Sequence, residues 1–482
     1  MRNLSIDKSE IKPKYDVIVL GAGIAGLICG TFLAKSGKKV LIIEQHNIPG
    51  GYCTSFKRKG FIFDAAVHHI GGCGKWSVVG RCLKELDIKM DFVQLDPMDS
   101  INFPSFSVDI PAEIDKYVDL LKKRYPHESE KLSSFFKEFI GLYRATFSAE
   151  RNKMLVKYQY LTYKDMLDSF FTDEQLKMVL SAQWGYIGSP PHEVSAIGMC
   201  QMLVNYLKDG AYFPVGGTQN FADAITQKFI DYDGHIMLSS KITGLRTDGN
   251  ITKGVKTEKG EEISADVFVS NIDPRQTFFC LMGKNAVDET YLHKIDTMKE
   301  SVSFFLLYLG LDNKIDLKCL KRGFYHTSSN ISFSNNGWFY ISVPTDIDSS
   351  LAMDKKQIIS VVVSLNDSYD DIEDWVAFKD KMKRYTINYI ENFIPDIQDH
   401  IEVIDAATPK TLHRYTNNSK GAAYGWAVTV DQTWPHRLQN TTPFKNLFLA
   451  GHWTNPGPGI CAVVSSGWRV ANMILNNQED KK

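Results

Sequence analysis

The run Asp16-Val17-Ile18-Val19-Leu20 ends directly in Gly21-Ala22-Gly23-Ile24-Ala25-Gly26. Its apolar stretch has the pattern of a strand buried on both faces of a parallel sheet. Ile24, Leu27, Ile28 and Thr31 then recur at helical spacing until Gly37 supplies a stop, and Lys38-Lys39 lead into a second apolar strand, Val40 to Ile43. This is a βαβ unit with a glycine-built first turn. Gly21 permits the tight turn, Gly23 lets backbone approach a pyrophosphate, and Gly26 lets helix and strand pack closely. Phosphates would sit on the helix N-terminus, where unpaired N–H groups and the dipole favour negative charge. Glu44 ends the second strand 18 residues after Gly26, placed to accept ribose hydroxyls. The same acid repels a 2′-phosphate, which disfavours NADP and leaves FAD or NAD.

A second strand, glycine turn and helix closes the chain. Leu447-Phe448-Leu449-Ala450 reads as a buried strand, Gly451 ends it, and Gly457-Pro458-Gly459 precede a helix from about Ile460 to Leu475. Ile236 to Leu238, Gly254 to Thr257 and Val267 to Val269, with the turn Glu258-Lys259-Gly260, have the pattern of strands returning to the same sheet. Between about Leu95 and Asp209 the pattern changes to amphipathic helices, clearest over Leu120 to Tyr143 and Tyr163 to Val179, which predict a separate substrate-facing layer. Strand-like runs at Phe304 to Leu309 and Ile358 to Leu365, with a charged helix from Glu373 to Phe393, predict α+β material in a second insertion. At 482 residues the chain is past the size at which one core stops growing. The expected architecture is α/β: a Rossmann-like, doubly wound parallel sheet assembled from residues 1–94, 210–290 and 407–482, interrupted by a helical insertion at 95–209 and an α+β substrate domain at 291–406.

Charge removes some function classes. Lys plus Arg number 55 against 56 Asp plus Glu, so no global field recruits nucleic acid or another polyanion. The eight cysteines show no CxxC pair and no metal-like spacing with histidines, which predicts reduced thiols and no metal centre. The first fourteen residues lack the apolar core of a signal peptide. No stretch approaches the ~20 apolar residues of a membrane span. The expected location is cytoplasmic, with any membrane contact peripheral, on the inner face. Aromatic residues at 12% predict a substantial apolar pocket or surface.

Gly50-Gly51-Tyr52-Cys53-Thr54-Ser55-Phe56, then Arg58, Gly60-Phe61-Ile62-Phe63-Asp64 and His68-His69-Ile70-Gly71-Gly72, resembles the stretch that flavoproteins of the amine-oxidase and carotenoid-desaturase superfamily place against FAD. The resemblance extends along the chain. Tyr186-Ile187-Gly188-Ser189-Pro190-Pro191 with Ser195, and Tyr206 through Gly210-Ala211-Tyr212-Phe213-Pro214-Val215-Gly216-Gly217-Thr218, are similar to the central signature of phytoene desaturases, carotenoid isomerases and retinol saturases. Gly421 to Trp426, Leu447 to Gly451, Trp453-Thr454, Pro456-Gly457, Gly459-Ile460 and Ser466-Gly467 resemble their closing motif.

The resemblance implies a GR2-type FAD-binding fold. FAD would be held by Gly21, Gly23, Ile24, Ala25 and Gly26, by Glu44 and Gln45, by Gly50, Gly51, Thr54 and Arg58, by Val67 and His68, by Lys241 and Ile242 at the adenine, and by Gly451, His452, Gly459 and Ile460 in the closing motif. His452 departs from the family, whose members often carry Asp or Ala after this glycine. The closing helix would point its N-terminus at the flavin's pyrimidine edge, where its dipole favours the charge gained on reduction. The implied activity is oxidoreduction of a long apolar isoprenoid or polyene, by desaturation, saturation or isomerisation of carbon–carbon bonds. Two alternatives share the fold: an amine-oxidase-like enzyme of a smaller substrate, and a flavin-free binding module of the Rab GDP-dissociation-inhibitor type. His68 and His69 are candidate proton acceptors or donors beside the flavin, or structural histidines. Trp184, Tyr186, Tyr212, Tyr424, Trp426 and Trp453 either line a polyene tunnel or fill core.

Overall fold

The computed structural model describes residues 5–6, 11–147, 153–326, 337–365, 368–433 and 435–479. Most of the leading polar segment, residues 1–4 and 7–10, lies outside them. The strand Lys14–Leu20 is flanked by Val40–Ile43 on one side and Glu262–Ser270 on the other, both parallel to it. His235–Met237 extends the parallel row beyond Val40–Ile43, and Leu447–Leu449 pairs in parallel with the far end of Glu262–Ser270. Ile242–Asp248 and Ile251–Thr257 add an antiparallel edge, giving seven strands. All four residues of Val40–Ile43 are buried, as an apolar strand covered on both faces should be. On one face, the helix Ile24–Lys35 packs between the closing helix Ile460–Glu479 and Thr218–Asp231. There Phe32 stacks on Trp468 with centroids 5.2 Å apart. The doubly wound parallel sheet is therefore present.

The second sheet is also seven-stranded, in the spatial order Ile401–Ala407, Phe304–Leu311, Gln357–Ser364, Trp338–Ser342, Gly323–His326, Asp99–Phe103, Phe106–Ile110. Phe304–Leu311 is buried along its whole length, with Phe304, Leu306 and Tyr308 packed toward the helical layer and Phe305, Leu307 and Leu309 in the cluster beneath the helix Trp375–Glu391. That alternation is the two-residue period of a strand with two covered faces. The hairpin at 99–110 belongs to this sheet, pairing in parallel with Gly323–His326, so the two insertions meet in one sheet instead of forming separate layers. The sequence misses this hairpin because its two-residue turn, Pro104-Ser105, carries no glycine or asparagine, although Phe106 to Ile110 alternates apolar and polar as a half-buried strand does.

The helical layer differs from expectation at two points. Leu120 to Tyr143 is broken between Ile114–Arg124 and Ser129–Ala145, because Pro126 cannot donate within a continuing helix. Tyr163 to Val179 is broken between Tyr163–Phe170 and Glu174–Ser181, where the Asp173 carboxylate caps the second helix by accepting from Leu176 N at 2.9 Å. No helix among the described residues is long and apolar enough to cross a membrane.

Candidate active site

Both glycine turns open onto one cavity of about 780 Å³, toward the large end of the roughly 300–1,000 Å³ usual for ligand pockets. Of the residues expected to hold a dinucleotide, all but Gly26 line it. Gly26 lies behind the turn, where a Cβ would stand 2.3 Å from Gly21 O, so its role is the close packing of helix on strand. The helix Ile24–Lys35 has no side-chain cap at Gly23, which leaves its first-turn amides for a ligand. The Glu44 carboxylate accepts from Ala22 N and His46 N, each at 2.8 Å, tying the second strand to the glycine turn. Burial pushes its pKa up, against the pull of these backbone amides.

Asn271, which follows Glu262–Ser270, is the residue that sequence reasoning missed. Its Nδ2 donates to Gly21 O at 3.3 Å and would lie 2.9 Å from a Cβ on either Gly23 or Gly26, while its Oδ1 would lie 2.6 Å from a Cβ on Gly451. One amide thus bonds the first glycine turn and packs closely against the last. A lone Asn after a strand carries no signal, because it matters only once both ends of the chain are in place. Nearby, buried Asp273 accepts from Ser419 N at 2.8 Å and Oγ at 2.6 Å, which holds Asn417 and Asn418 at the cavity wall. Asn418 in turn donates to the Tyr52 hydroxyl at 3.1 Å, and Tyr52 to Ala422 O at 2.9 Å.

At the closing turn, Gly451 N donates to Ser466 Oγ at 3.1 Å, and Gly459 and Ile460 bring the helix N-terminus to the cavity. Burial, aided by the nearby Arg437 guanidinium, lowers the pKa of His452 to about 3, so this departure from the family pattern is a neutral imidazole. Arg437 is itself buried, donating to His452 O at 2.6 Å and Thr454 O at 3.1 Å.

The inner wall brings together His68, His69, Tyr186, Tyr206 and Tyr424. Burial and the nearby Arg322 lower the pKa of His68 to about 3, and burial with neighbouring His68 and Arg322 holds His69 well below its ordinary range. Both rings are neutral at physiological pH. Four of the six aromatic candidates lie elsewhere. Trp426 and Trp453 pack on each other at 4.7 Å in the core under the nucleotide sheet, where Trp453 Nε1 donates to Asn418 Oδ1 at 3.2 Å. Trp184 sits edge-on to Trp338, and Tyr212 lies in Ala211–Pro214 against Phe92. Aromatic identity alone does not separate wall from core; Tyr186 and Tyr424 alone of the six reach the cavity.

The donor set fits a flavin nucleotide: uncapped helix amides beside Gly23 for phosphate, a carboxylate at Glu44 for ribose hydroxyls, and a second helix end at Gly459. No group of three or more His, Cys, Asp or Glu among the described residues could hold a metal. The family profile described as "Flavin containing amine oxidoreductase" matches residues 24–475. The chain is similar to the chloroplastic prolycopene isomerase of Daucus carota, at 26% identity over 96% of this chain and 80% of that one. It is also similar to the all-trans-retinol 13,14-reductase of Danio rerio, 26% identical over 92% of this chain and 83% of that one. The lycopene-forming phytoene desaturase of Pantoea ananas is 25% identical over 95% and 99%. Among solved structures, an oxidoreductase from Methanosarcina mazei superposes with TM-score 0.68 at 17% identity, covering 95% of this chain and all of that one. Putrescine oxidase bound to putrescine gives 0.69 at 14%, covering 96% and 99%. The chain belongs to the flavin-containing amine oxidoreductase family and is a flavin-dependent enzyme.

Proposed function

We propose that this enzyme is an FAD-dependent oxidoreductase acting on the carbon–carbon bonds of a long apolar polyene of the carotenoid or retinoid type. One observation about the cavity carries the choice over an amine. Among the described residues only two carboxylates line it, and both are engaged: Glu44 by backbone amides, and Asp405 by Arg58 at 3.2 Å. An ammonium substrate would find no free anion there, whereas Phe56, Phe304, Leu306 and Tyr308 offer apolar wall to a hydrocarbon. The relatives named for prolycopene, retinol and phytoene support the same substrate class. FAD over FMN is supported by the adenosine-side residues Glu44, Gln45, Lys241 and Ile242, which line the same cavity as the closing turn.

When bound, FAD supplies a two-electron acceptor or donor for hydride. The glycine turn and the helix end at Gly459 would hold its charged parts, and the neutral wall at His68, His69, Tyr186 and Tyr424 would exclude water from the reacting carbon. Peripheral docking on a bilayer is part of the reading, since an insoluble substrate must arrive from lipid. Phe147, Val156 and Tyr160 are exposed on the helical layer near Lys157, and they support it. Anaerobic incubation of the FAD-loaded protein with a panel of polyenes and amines, following flavin and substrate absorbance, tests the proposal. Flavin bleaching or polyene conversion is expected. Turnover of amines alone, with hydrogen peroxide release in air, overturns it.

A further inference from the structure

Behind His68 and His69 lies a polar cluster that cofactor binding does not use. Asp99, wholly buried, receives three hydrogen bonds: Tyr186 Oη donates to Oδ2 at 2.7 Å, Gln183 Nε2 to Oδ2 at 3.1 Å, and Tyr340 Oη to Oδ1 at 3.0 Å. Arg322 acts on it only through space, its guanidinium donating to Met98 O at 3.1 Å and Pro97 O at 2.6 Å. Tyr340 Oη also lies 3.4 Å from His69 Nδ1, and the His68 ring stacks on Tyr340 at 4.0 Å. A phenol has one proton. With that proton on the shorter bond to Asp99, Nδ1 of His69 must be the donor to Tyr340, so the ring is the Nδ1–H tautomer and Nε2 carries a lone pair. Nε2 is buried without a partner, on a residue that lines the cavity. Leaving a buried polar atom unpaired is costly, and such atoms persist where a function uses them.

We propose that Asp99, Tyr340 and His69 form a buried proton relay, exchanging at His69 Nε2 the proton that accompanies hydride transfer on the substrate. It rests on the reading of the cavity as a flavin site for carbon–carbon redox chemistry. In the desaturating direction, one substrate C–H bond breaks with its electron pair passing as hydride to the flavin, the two-electron oxidant. The neighbouring C–H gives its proton to Nε2, and its electrons become the new double bond. The Nδ1 proton passes to Tyr340 Oη, whose own proton passes to the Asp99 carboxylate. The loaded relay is the same hydrogen-bonded chain with every donor and acceptor exchanged. Saturation runs the sequence backwards, with reduced flavin as the hydride source. Of the three, only His69 lines the cavity; Tyr340 and Asp99 act through it.

The groups facing the relay are Tyr186, Gln183 and Arg322 around Asp99, and His68, Tyr186 and Tyr206 around His69. The phenols of Tyr186 and Tyr340 are held well above their ordinary range by burial, and that of Tyr206 is also raised, so none of them ionises in the working range. Burial pushes Asp99 up to about 6, against its hydrogen bonds and Arg322. A desaturating enzyme needs Asp99 ionised to receive the proton, so flavin reduction by substrate should rise with pH through about 6 and level off. A saturating one needs it protonated and should fall through the same value.

The test uses FAD-loaded protein. ¹⁵N NMR of the wild type should show His69, assigned by its loss in His69→Gln, as the Nδ1–H tautomer. Tyr340→Phe should abolish that preference. Stopped-flow flavin reduction by a polyene should slow at least ~10-fold in Tyr340→Phe and Asp99→Asn and about 10²-fold in His69→Gln. The inflection near pH 6 should vanish in Asp99→Asn. A merely structural cluster would lower the melting midpoint without moving the pH profile of flavin reduction, and that result overturns the relay. If Asp99→Asn does not fold, Tyr340→Phe, which lacks one oxygen, decides. A wild type whose oxidised flavin no polyene reduces, and whose reduced flavin converts no polyene, overturns the functional reading. A wild type that does either, with variants of unchanged rate and pH profile, overturns the relay alone.

Discussion

Gly467, in the closing helix Ile460–Glu479, sets how closely the two ends of the chain can pack. A Cβ there would stand 2.3 Å from Ala25 O and 3.1 Å from Ala25 C, in the first turn of Ile24–Lys35. Even a favourable carbon–oxygen contact needs about 3.3–3.6 Å, so Gly467→Ala must push the helices apart by roughly 1 Å. Two effects compete. Alanine gains up to about 1 kcal/mol of helix propensity over glycine. Overpacking a tight contact costs about 1–3 kcal/mol, toward the upper figure here because the obstructing atoms are backbone and cannot turn aside. The steric effect wins, by about 1–2 kcal/mol. The damage reaches the cofactor because Ala25 lines the cavity. Each ~1.4 kcal/mol is tenfold in affinity, so the share of this strain that falls on the FAD-bound state should weaken FAD binding, by at most about 30-fold. Fluorescence of FAD released on dilution and the thermal midpoint measure the two effects. Gly141→Ala is the control, since its nearest neighbour is the flexible Met154 side chain at 3.1 Å. A Gly467→Ala protein that melts at or above the wild-type temperature with undiminished FAD affinity would refute the argument.

Glu44→Gln should weaken FAD binding by about 10- to 100-fold, the loss of a charged acceptor, with isothermal titration as the check. Gly459→Asp places a carboxylate at the N-terminal end of the closing helix, where space is open; the flavin midpoint potential, measured by dye equilibration, should fall, and an unchanged potential with FAD fully bound would move the helix's role elsewhere. Asp99 binds its proton more tightly folded than unfolded, so its contribution to stability should decline as pH rises from about 4 to about 6 and stay low above. Asp99→Asn should remove that slope in paired melting curves.

The nucleotide half was readable because it is local. Gly21, Gly23, Glu44, Gly451 and Gly459 each mark a turn or strand end whose geometry or chemistry depends on a small or acidic residue, and they line the cavity, with Gly26 bracing it from behind. The substrate half was not, because its parts are non-local. Asp99, Tyr186 and Tyr340 stand 87 and 154 residues apart along the chain and are joined by a parallel pairing no periodicity reveals. Trp426 and Trp453 look like tunnel aromatics in a list of residues, and only packing shows them to be core.

The nucleotide sheet takes its neighbouring strands from residues 14–20, 40–43, 235–237, 262–270 and 447–449, and Asn271 bonds its first turn while packing against its last. During synthesis, then, the glycine turn is made early but stays half of a site for more than four hundred residues. An emerging chain carries Glu262–Ser270 with its Leu447–Leu449 edge unpaired and the apolar face of Ile24–Lys35 uncovered. Such a state invites association with other chains and chaperones before it can hold a nucleotide. The nucleotide site is therefore complete only once Leu447–Leu449 and the helix Ile460–Glu479 are in place, and the supply of flavin at that moment should govern how much of the newly made protein survives.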